Sequence, residues 1–257
     1  MKMRFLCFAL LACVTQAQAA TVLYSQNFEA PTGYIPSTYY HDLSSAPVNS
    51  LYGNQPAGFT FNHTYTVETL HISGGRAFGN GYQDPQHKGG NYALGMLESV
   101  QDDRLGLNFN VAGHKFLNFR LDVSRIGLSG GNGPFANDAP KFRFSLFDNP
   151  LGQATINGNG VLLSSLTMEG ANSAHNGVFN WTNLVAALDA SRASNGNVTL
   201  QIDLIRGGYA AMDNFVIAAS DNSGEVPQIP EAETWAMLLA GLGGLGLLAR
   251  RRQALIA

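Results

Sequence analysis

This chain of 257 residues has few candidate catalytic or metal-binding residues, and they are scattered along the sequence. The densest acidic group is "LESVQDD", with Glu98, Asp102 and Asp103, and paired carboxylates can hydrolyse glycosidic bonds. Adjacent acids in a turn usually form a solvated loop instead. The histidines occur singly, without the H-x-H or H-E-x-x-H spacing of a metal site, at positions 41, 63, 71, 87, 114 and 175. We therefore expect a non-catalytic protein, with an unrecognised glycan-active hydrolase as the alternative.

Aromatic side chains offer a second kind of chemistry, the binding of sugars. Pyranose rings present C–H groups on their faces, and exposed aromatic rings stack on them. The candidate ligand-binding residues are Tyr39 and Tyr40 in "STYYHD", together with Tyr82 and Tyr92. The alternative for each tyrosine is that it packs across neighbouring strands.

Between residues 20 and 224 the sequence has short runs in which apolar and polar residues alternate, and it has no long stretch with helical periodicity. Strands must therefore position these residues. In "FLNFRLDV" the residues Leu117, Phe119, Leu121 and Val123 alternate with polar ones, which is typical of a half-buried antiparallel strand. Turn-forming stretches such as "SGGNGP", "DNPLG" and "NGNG" separate the runs. Many short strands at this spacing favour an all-β fold, an antiparallel β-sandwich. The predicted strands are residues 22–28, 59–67, 104–111, 116–123, 142–148, 198–205 and 213–218.

One domain is expected between the two ends of the chain. Residues 20–224 are enough for one sizeable hydrophobic core, and the stretch from about 30 to 58 is loop-like. Outside the terminal signals the chain has ten basic and sixteen acidic residues, a net charge of −6. Nothing in it forms a basic face, so nucleic acid is not expected as a partner. The negative charge would repel anionic polymers unless a cation bridges them.

The N-terminus predicts export. Lys2 and Arg4 precede an apolar run, and the small residues Ala17 and Ala19 follow it, so residues 1–19 are a secretory signal peptide. Both cysteines, Cys7 and Cys13, lie inside this segment, so the mature chain would have no disulfide. The alternative is a lipoprotein cleavage site, which "LLAC" ending at Cys13 loosely resembles.

The C-terminal sequence predicts a transmembrane helix that acts as a sorting signal. Residues 235–249 carry no charge and reach roughly 22 Å as a helix, against the roughly 30 Å of a bilayer core. Three arginines at 250–252 would stay on the cytoplasmic side of the inner membrane. Residues 225–234 are a polar linker to this helix, and residues 235–257 are the helix with its basic tail. A permanent membrane anchor is the rival interpretation.

A proline–glutamate pair, then an apolar helix opening on tryptophan, then an arginine cluster resembles the PEP-CTERM sorting signal. Pro230 and Glu231 match the first two positions, and Ala232 stands where that signal usually has a second proline. The matching basic cluster is Arg250, Arg251 and Arg252. The resemblance implies that the Sec machinery and the membrane protease exosortase are partners. It also implies that the final location of the domain is the cell surface or a polysaccharide matrix.

The last third of the domain resembles jelly-roll carbohydrate-binding modules. The resemblance rests on "NGVFNWTNLVAALDAS", "GNVTLQIDLIRGG" and "YAAMDNFVIA", and it makes Trp181 a core residue. In such modules a structural calcium commonly lies where the first and last strands meet, which implies Glu29 and Asp213 as ligands. The alternative is that Glu29 is a surface residue and Asp213 caps a turn. We therefore expect an exported, polysaccharide-associated protein, with a purely structural surface protein as a further alternative.

The tail generates the first testable prediction. In the native host the mature protein should lack its C-terminal helix, because exosortase cuts near Pro230–Glu231. Glu231→Ala should trap the uncut precursor in the inner membrane, as should a host that has no exosortase. Intact-mass measurement of the mature protein tests this, and a mature species that keeps Arg250 to Arg252 would contradict it.

Overall fold

The computed structural model describes residues 20–38, 43–44, 46–53, 56, 60–61, 67–73, 82–96, 103–127, 138–153, 156, 160–173 and 175–228. The chain divides into one compact unit, Met1–Val226, and a second, Pro227–Ala257. The predicted signal peptide, the sorting motif and the apolar tail lie outside the described residues. Within the described residues, no helix is long and apolar enough to cross a membrane.

The described part of the chain is almost entirely β-structure. Its one helix, α1, is a single turn at Val48–Leu51, in the stretch that the sequence presented as a loop. The strands are β1 Thr21–Gln26, β2 Thr60–Phe61, β3 Val67–His71, β4 Tyr92–Met96, β5 Arg104–Asn110, β6 Phe116–Arg125, β7 Lys141–Asp148, β8 Leu162–Glu169, β9 Thr182–Asp189, β10 Asn197–Arg206 and β11 Ala210–Ser220.

Two antiparallel sheets form a sandwich, as predicted. The first sheet has the order β3-β4-β11-β6-β9, and the second has the order β2-β5-β10-β7-β8. Strand β6 pairs along one edge of β11. The other edge of β11 is shared, because β4 pairs with residues 210–212 and β1 pairs with residues 215–219. The first and last strands of the domain are therefore neighbours.

The main core lies between the inner faces of the two sheets. The alternation predicted for β6 is confirmed on this side, because Leu117, Phe119, Leu121 and Val123 are all buried. Phe119 stacks on Phe144 of the opposite sheet, with ring centroids 4.6 Å apart. Facing residues from two sheets interdigitate in this way in aligned sandwiches.

The outer face of the first sheet is also covered, so the half-buried pattern expected for β6 is wrong on that side. Asn118 and Asp122 point outward, yet both are buried. Asn183 and Asn214 donate to Asp122, and the backbone of Asn222 accepts from Asn118. The partners of Asp122 come from the neighbouring strands β9 and β11, and that of Asn118 comes from the segment after β11, which a period of two along one strand cannot reveal.

A second hydrophobic cluster forms under this cover. Trp181 is 3% exposed and stacks on Phe179 at 5.1 Å, which confirms that Trp181 is buried. Gly89 lies directly against the indole ring, so a Cβ at that position would overlap it. The cluster consists of Leu43, Leu70, Ile72, Ala93, Ile126, Phe179, Trp181 and Ala211, with Tyr82 and Tyr209 packed against it.

The chain is anchored where β11 ends. The carboxylate of Asp221 accepts the amide of Lys115 and lies 3.6 Å from Nδ1 of His114. The side chain of Asn118 donates to the carbonyl of Asn222 and accepts the amide of Gly224. These bonds hold the segment after the last strand against the start of β6.

Trp181 generates the second prediction. Trp181→Ala should lower the free energy of unfolding by roughly 3–5 kcal/mol, because it leaves a large cavity in the second cluster. Thermal or denaturant unfolding of the full chain in mild detergent measures this. The matched control is Leu151→Ala, whose side chain is 77% exposed and should change stability little. In a Trp235→Phe background the remaining emission should be blue-shifted, and a water-like maximum would contradict the assignment.

Candidate functional site

The outer face of the second sheet carries a polar groove. Alternation along β5, β10, β7 and β8 sends apolar side chains to the core and polar ones outward. The strand registers arrange the outward residues in three cross-strand rows, about 6–7 Å apart. The rows are Arg104–Asp203–Arg143, then Gly106–Gln201–Ser145–Ser165, then Asn108–Thr199–Phe147–Leu162.

The first row is an ion-pair cluster centred on Asp203, which is 1% exposed. Its two carboxylate oxygens face two guanidinium groups, with Arg104 Nε at 3.3 Å and Arg143 Nε at 3.0 Å. Gln201 donates to the same carboxylate at 2.8 Å. Burial raises the pKa of Asp203, and the hydrogen bonds from Arg143 and Gln201, together with the charges of Arg143 and Arg104, oppose that rise. The row therefore holds two guanidinium groups and one buried carboxylate in one ion-pair cluster.

The second and third rows hold neutral hydrogen-bonding groups. The hydroxyls of Ser145 and Ser165 lie 3.1 Å apart. In the third row, the Thr199 hydroxyl donates to Asn108 at 2.6 Å and accepts from Asn149 at 3.0 Å. These bonds fix the orientation of side chains at the surface before any ligand arrives.

Apolar surface completes the groove, whose volume is about 390 Å³. Phe147 and Leu162 lie opposite each other on β7 and β8, and Leu162 is 50% exposed. Gly106 in the second row has no side chain, and a glycine inside a strand often allows close approach of a ligand. The groove can thus offer one ligand hydrogen bonds, charge and an apolar contact together.

A second candidate site lies where β4, β1 and β11 meet. The register of β11 shifts between Asp213 and Val216, in the gap between the stretches paired with β4 and β1. Asp213 is the fourth residue of β11, so it does not open the strand as the sequence suggested. Asn214 has a positive φ of 53°, and its amide donates to Asp213. Asp213 pairs with Asp122 just before this shift, so its carboxyl is on the same outer side of the sheet as that of Asp122.

Glu29 follows β1 at the same junction. Its carboxylate accepts the backbone amides of Asn91 and Tyr92 and the side-chain amide of Asn91, at 2.9–3.1 Å. Gly90 has a φ of 53° and lies so close to Glu29 that a Cβ would overlap the carboxylate. Phe28, just before Glu29, also has a positive φ, of 56°. Strained residues of this kind persist where surrounding contacts fix them.

Negative charge accumulates at this junction. Burial raises the pKa of Asp213 to about 9, since its carboxyl is 1% exposed. The amide of Asn214 opposes this shift, whereas the charges of Glu29, Asp122 and Asp84 add to it. Asp213 therefore holds a proton at neutral pH unless a cation neutralises the cluster.

The residues at the junction fit a hard cation in chemical type, because they supply carboxylate oxygens beside a buried carboxyl. No group of three or more His, Cys, Asp or Glu is arranged as a metal-binding set among the described residues. A cation here would thus need backbone carbonyls as well as Glu29 and Asp213. The carbonyl of Lys88, which accepts from Asn214, lies in the segment that covers the junction.

The tyrosines named from the sequence lie in different places. Tyr39 and Tyr40 fall outside the described residues. Tyr82 packs on Phe179 at 5.3 Å, against the second cluster. Tyr92 stacks on His71 at 4.6 Å. The described tyrosines therefore form no common surface with the groove.

Sequence reasoning missed the groove residues, although a signal for them exists. Arg143, Ser145 and Phe147 occupy alternate positions in "FRFSLFD", and Gln201 and Asp203 do so in "VTLQIDLI". Polar residues at every second position of a strand mark its outward face. The alternation does not show which strands are neighbours in the sheet.

Comparison with known proteins finds a motif at the C-terminus. The PEP-CTERM protein-sorting motif matches residues 228–253. No curated protein matches the chain.

Several solved structures are similar at low identity. The CBM22-1 xylan-binding domain from Paenibacillus barcinonensis Xyn10C has 13% identity and a TM-score of 0.41, over 80% of this chain and 99% of that one. The C-terminal family 22 carbohydrate-binding module of Clostridium thermocellum Xyn10B has 12% identity and a TM-score of 0.40, over 80% and 95%. TmCBM61, in complex with beta-1,4-galactotriose, has 12% identity and a TM-score of 0.36, over 65% and 91%.

The matched motif includes the triplet at 230–232 and the arginine cluster that the sequence analysis singled out. The chain is therefore an exported β-sandwich protein with a C-terminal PEP-CTERM sorting signal.

Proposed function

We propose that this domain is a non-catalytic polysaccharide-binding protein of the cell surface or extracellular matrix, and that the groove on the second sheet is its binding site. The observation that carries the proposal is the three-row surface of β5, β10, β7 and β8. Exosortase would release the domain from an inner-membrane-anchored precursor that the Sec machinery exports. The groove would then hold the domain on the polysaccharide that surrounds the cell.

The chemistry of a sugar supports this assignment. A pyranose ring has hydroxyls around its rim and C–H groups on its faces, so a site needs polar groups and an apolar platform together. Gln201, Ser145 and Ser165 supply polar groups in the second row, and Phe147 supplies the platform beside them. Internal hydrogen bonds already hold the polar side chains, which lowers the entropic cost of binding.

Binding fits the groove better than hydrolysis does. Glycosidases of the common type need two carboxyl groups about 5–10 Å apart. Asp203 is the one carboxylate among the described residues that line the groove, and it faces two arginines and Gln201. A carboxylate held in this way positions its neighbours.

Phe147 generates the third prediction. Phe147→Ala should weaken polysaccharide binding by roughly tenfold, because one aromatic contact is worth about 1 kcal/mol or more. Glycan-array binding and polysaccharide pull-down by the full chain in mild detergent measure this. Val185→Ala is the matched control, since Val185 is 46% exposed on β9 of the other sheet. If Tyr92→Ala abolishes binding and Phe147→Ala does not, the site lies at the tyrosines.

We also propose that a structural Ca²⁺ joins the two ends of the domain at Glu29 and Asp213. Support comes from the pairing of β1 with β11 and from the four acidic side chains that interact there, which are Glu29, Asp84, Asp122 and Asp213. Ca²⁺ takes six to eight oxygen ligands and tolerates a mixture of carboxylates and carbonyls. A bound cation would favour the ionised form of Asp213, and so its binding would release a proton.

Asp213 generates the fourth prediction, a pH dependence of stability in excess EDTA. Between about pH 4 and its folded pKa of about 9, Asp213 is protonated in the folded chain and ionised in the unfolded one. The folded state then binds more protons, so the free energy of unfolding should fall as pH rises, by up to about 1.4 kcal/mol per pH unit. Asp213→Asn should remove most of this slope. Thermal melts of both chains from pH 5 to 8 measure it, and equal slopes would contradict a protonated buried carboxyl.

The same melts with millimolar Ca²⁺ test the cation. Ca²⁺ should stabilise the unmodified chain at pH 7–8, by about 2.7 kcal/mol at a hundredfold excess over Kd. It should have little effect on Asp213→Asn. Equal melting temperatures with Ca²⁺ and with EDTA would remove the proposed site.

A further inference from the structure

We infer that the groove selects a glycan that contains N-acetylhexosamine, with the acetamido N–H bound by Ser165 in the second row and the acetamido methyl group bound by Leu162 in the third. This inference rests on the proposed function and names the class of glycan for the same site. It concerns the side of the groove where both rows end, on the edge strand β8.

The direction of the hydrogen bonds in the second row is the first argument. The Ser165 hydroxyl donates its one hydrogen to the carbonyl of Phe144 at 3.1 Å. The bond between the hydroxyls of Ser165 and Ser145 therefore has Ser145 as its donor. Both hydrogens are used inside the protein, so the two oxygens can only accept a hydrogen bond from a ligand. Ser145 is buried and Ser165 is exposed, so Ser165 is the acceptor that a ligand reaches.

The position of Leu162 is the second argument. Leu162 and Ser165 are three residues apart on β8, which would place them on opposite faces of a regular strand. The pairing with β7 shifts between Leu146 and Phe147, and Leu162 consequently lies opposite Phe147 on the outer face. Leu162 lines the groove and is 50% exposed. An aliphatic side chain in this place suits a methyl group, because a ring hydroxyl finds no hydrogen-bond partner there.

The combination of an acceptor and an aliphatic contact in neighbouring rows is the third argument. The rows are about 6–7 Å apart, so a group that lies above them can reach both within about 3 Å of Ser165 and about 4 Å of Leu162. An acetamido group has one N–H donor and one methyl group on the same planar unit. A hydroxyl or an amine supplies a donor without the methyl group, and an O-acetyl ester supplies the methyl group without a donor. The acetamido group alone among these substituents matches both rows.

An N-acetylhexosamine is neutral, so its recognition does not depend on the ion-pair cluster of the first row. The net charge of −6 outside the terminal signals would repel an anionic polymer, whereas it leaves a neutral glycan unaffected. The affinity should therefore change little as NaCl is raised, and a steep salt dependence would contradict a neutral ligand. The ring that bears the acetamido group would lie on Phe147, the platform of the proposed function.

The test compares three β-1,4-linked hexasaccharides by calorimetry of the full chain in mild detergent: chitohexaose with acetamido groups, chitosan hexaose with amines and cellohexaose with hydroxyls. Chitohexaose should bind at least about fivefold more tightly than the other two, because its methyl group is buried against Leu162. O-acetylated glucomannan should bind no more tightly than the same polymer after alkali treatment, because its ester has no N–H. A glycan array extends the comparison to N-acetylhexosamine glycans of other linkages beside their matched counterparts, and the same preference should appear in at least one linkage.

Leu162→Ser should lower the preference for chitohexaose over cellohexaose about fivefold, because it removes the methyl contact. Val185→Ser is its matched control, since Val185 is 46% exposed on β9, the edge strand of the other sheet. Ser165→Ala should weaken chitohexaose binding several-fold, and Ser165→Thr, which keeps the acceptor, should not. Thr167→Ala removes an exposed hydroxyl of β8 outside the groove lining and should change nothing. Melting temperatures show which variants are folded, and the Ser165 variants keep the test valid if Leu162→Ser is not.

Four outcomes would overturn the inference, and they differ in what they leave standing. Binding of glycans without any preference for an acetamido group in any linkage would refute the selection while the polysaccharide-binding proposal survives. An equal gain from O-acetyl groups would refute the role of the N–H. Equal losses in Leu162→Ser and Val185→Ser would refute the contact with Leu162. No binding of any polysaccharide by the unmodified chain would refute the proposed function itself.

Discussion

The rest of the structure depends on β11, the last strand of the domain, because it is a central strand of the first sheet. It pairs with β6 along one edge and with β4 and β1 in succession along the other. All of these partners are distant in sequence, so the hydrogen bonds of β11 form only when long loops have closed, the longest of them between β1 and β11. Such non-local pairing is costly in loop-closure entropy, and the buried inner face of β11, with Met212, Phe215 and Ile217, offsets that cost.

The same constraint explains why the two candidate sites differ in character. At the junction, one strand changes partners within a few residues and its register shifts, and the carboxyl of Asp213 is buried beside this shift. In the second sheet β5, β10 and β7 keep a regular register across the three rows, and β8 follows with one shift between Leu146 and Phe147, so outward side chains line up across the strands. Irregular pairing thus concentrates negative charge in a small covered volume, whereas regular pairing spreads donors and acceptors over an open surface.

The sequence predicts the sandwich better than it predicts either site. Alternation in "FLNFRLDV" and "FRFSLFD" is strong enough to predict β6 and β7, because both inner faces are uniformly apolar. Alternation does not predict β3, β4, β8 or β9. Strands β3 and β4 are five residues long, and β8 is rich in serine and threonine. The groove cannot be predicted from the sequence, because Arg104, Asp203 and Arg143 lie on strands that are distant in sequence. These strands become neighbours only in the folded sheet. The pairing of Glu29 with Asp213 is implied by a resemblance, and the alternation in "DNFVIA" does not show that β11 begins three residues earlier, at Ala210.

The order of elements along the chain has a consequence for the making of the protein. Strand β11 ends at Ser220, and the sorting motif begins at residue 228, so translation delivers the strand that completes the first sheet immediately before the sorting signal. A chain that is truncated early lacks both. Only molecules that already contain every strand of the sandwich can carry the sorting signal. Incomplete translation products therefore lack the signal and are not sorted, without a separate quality-control step.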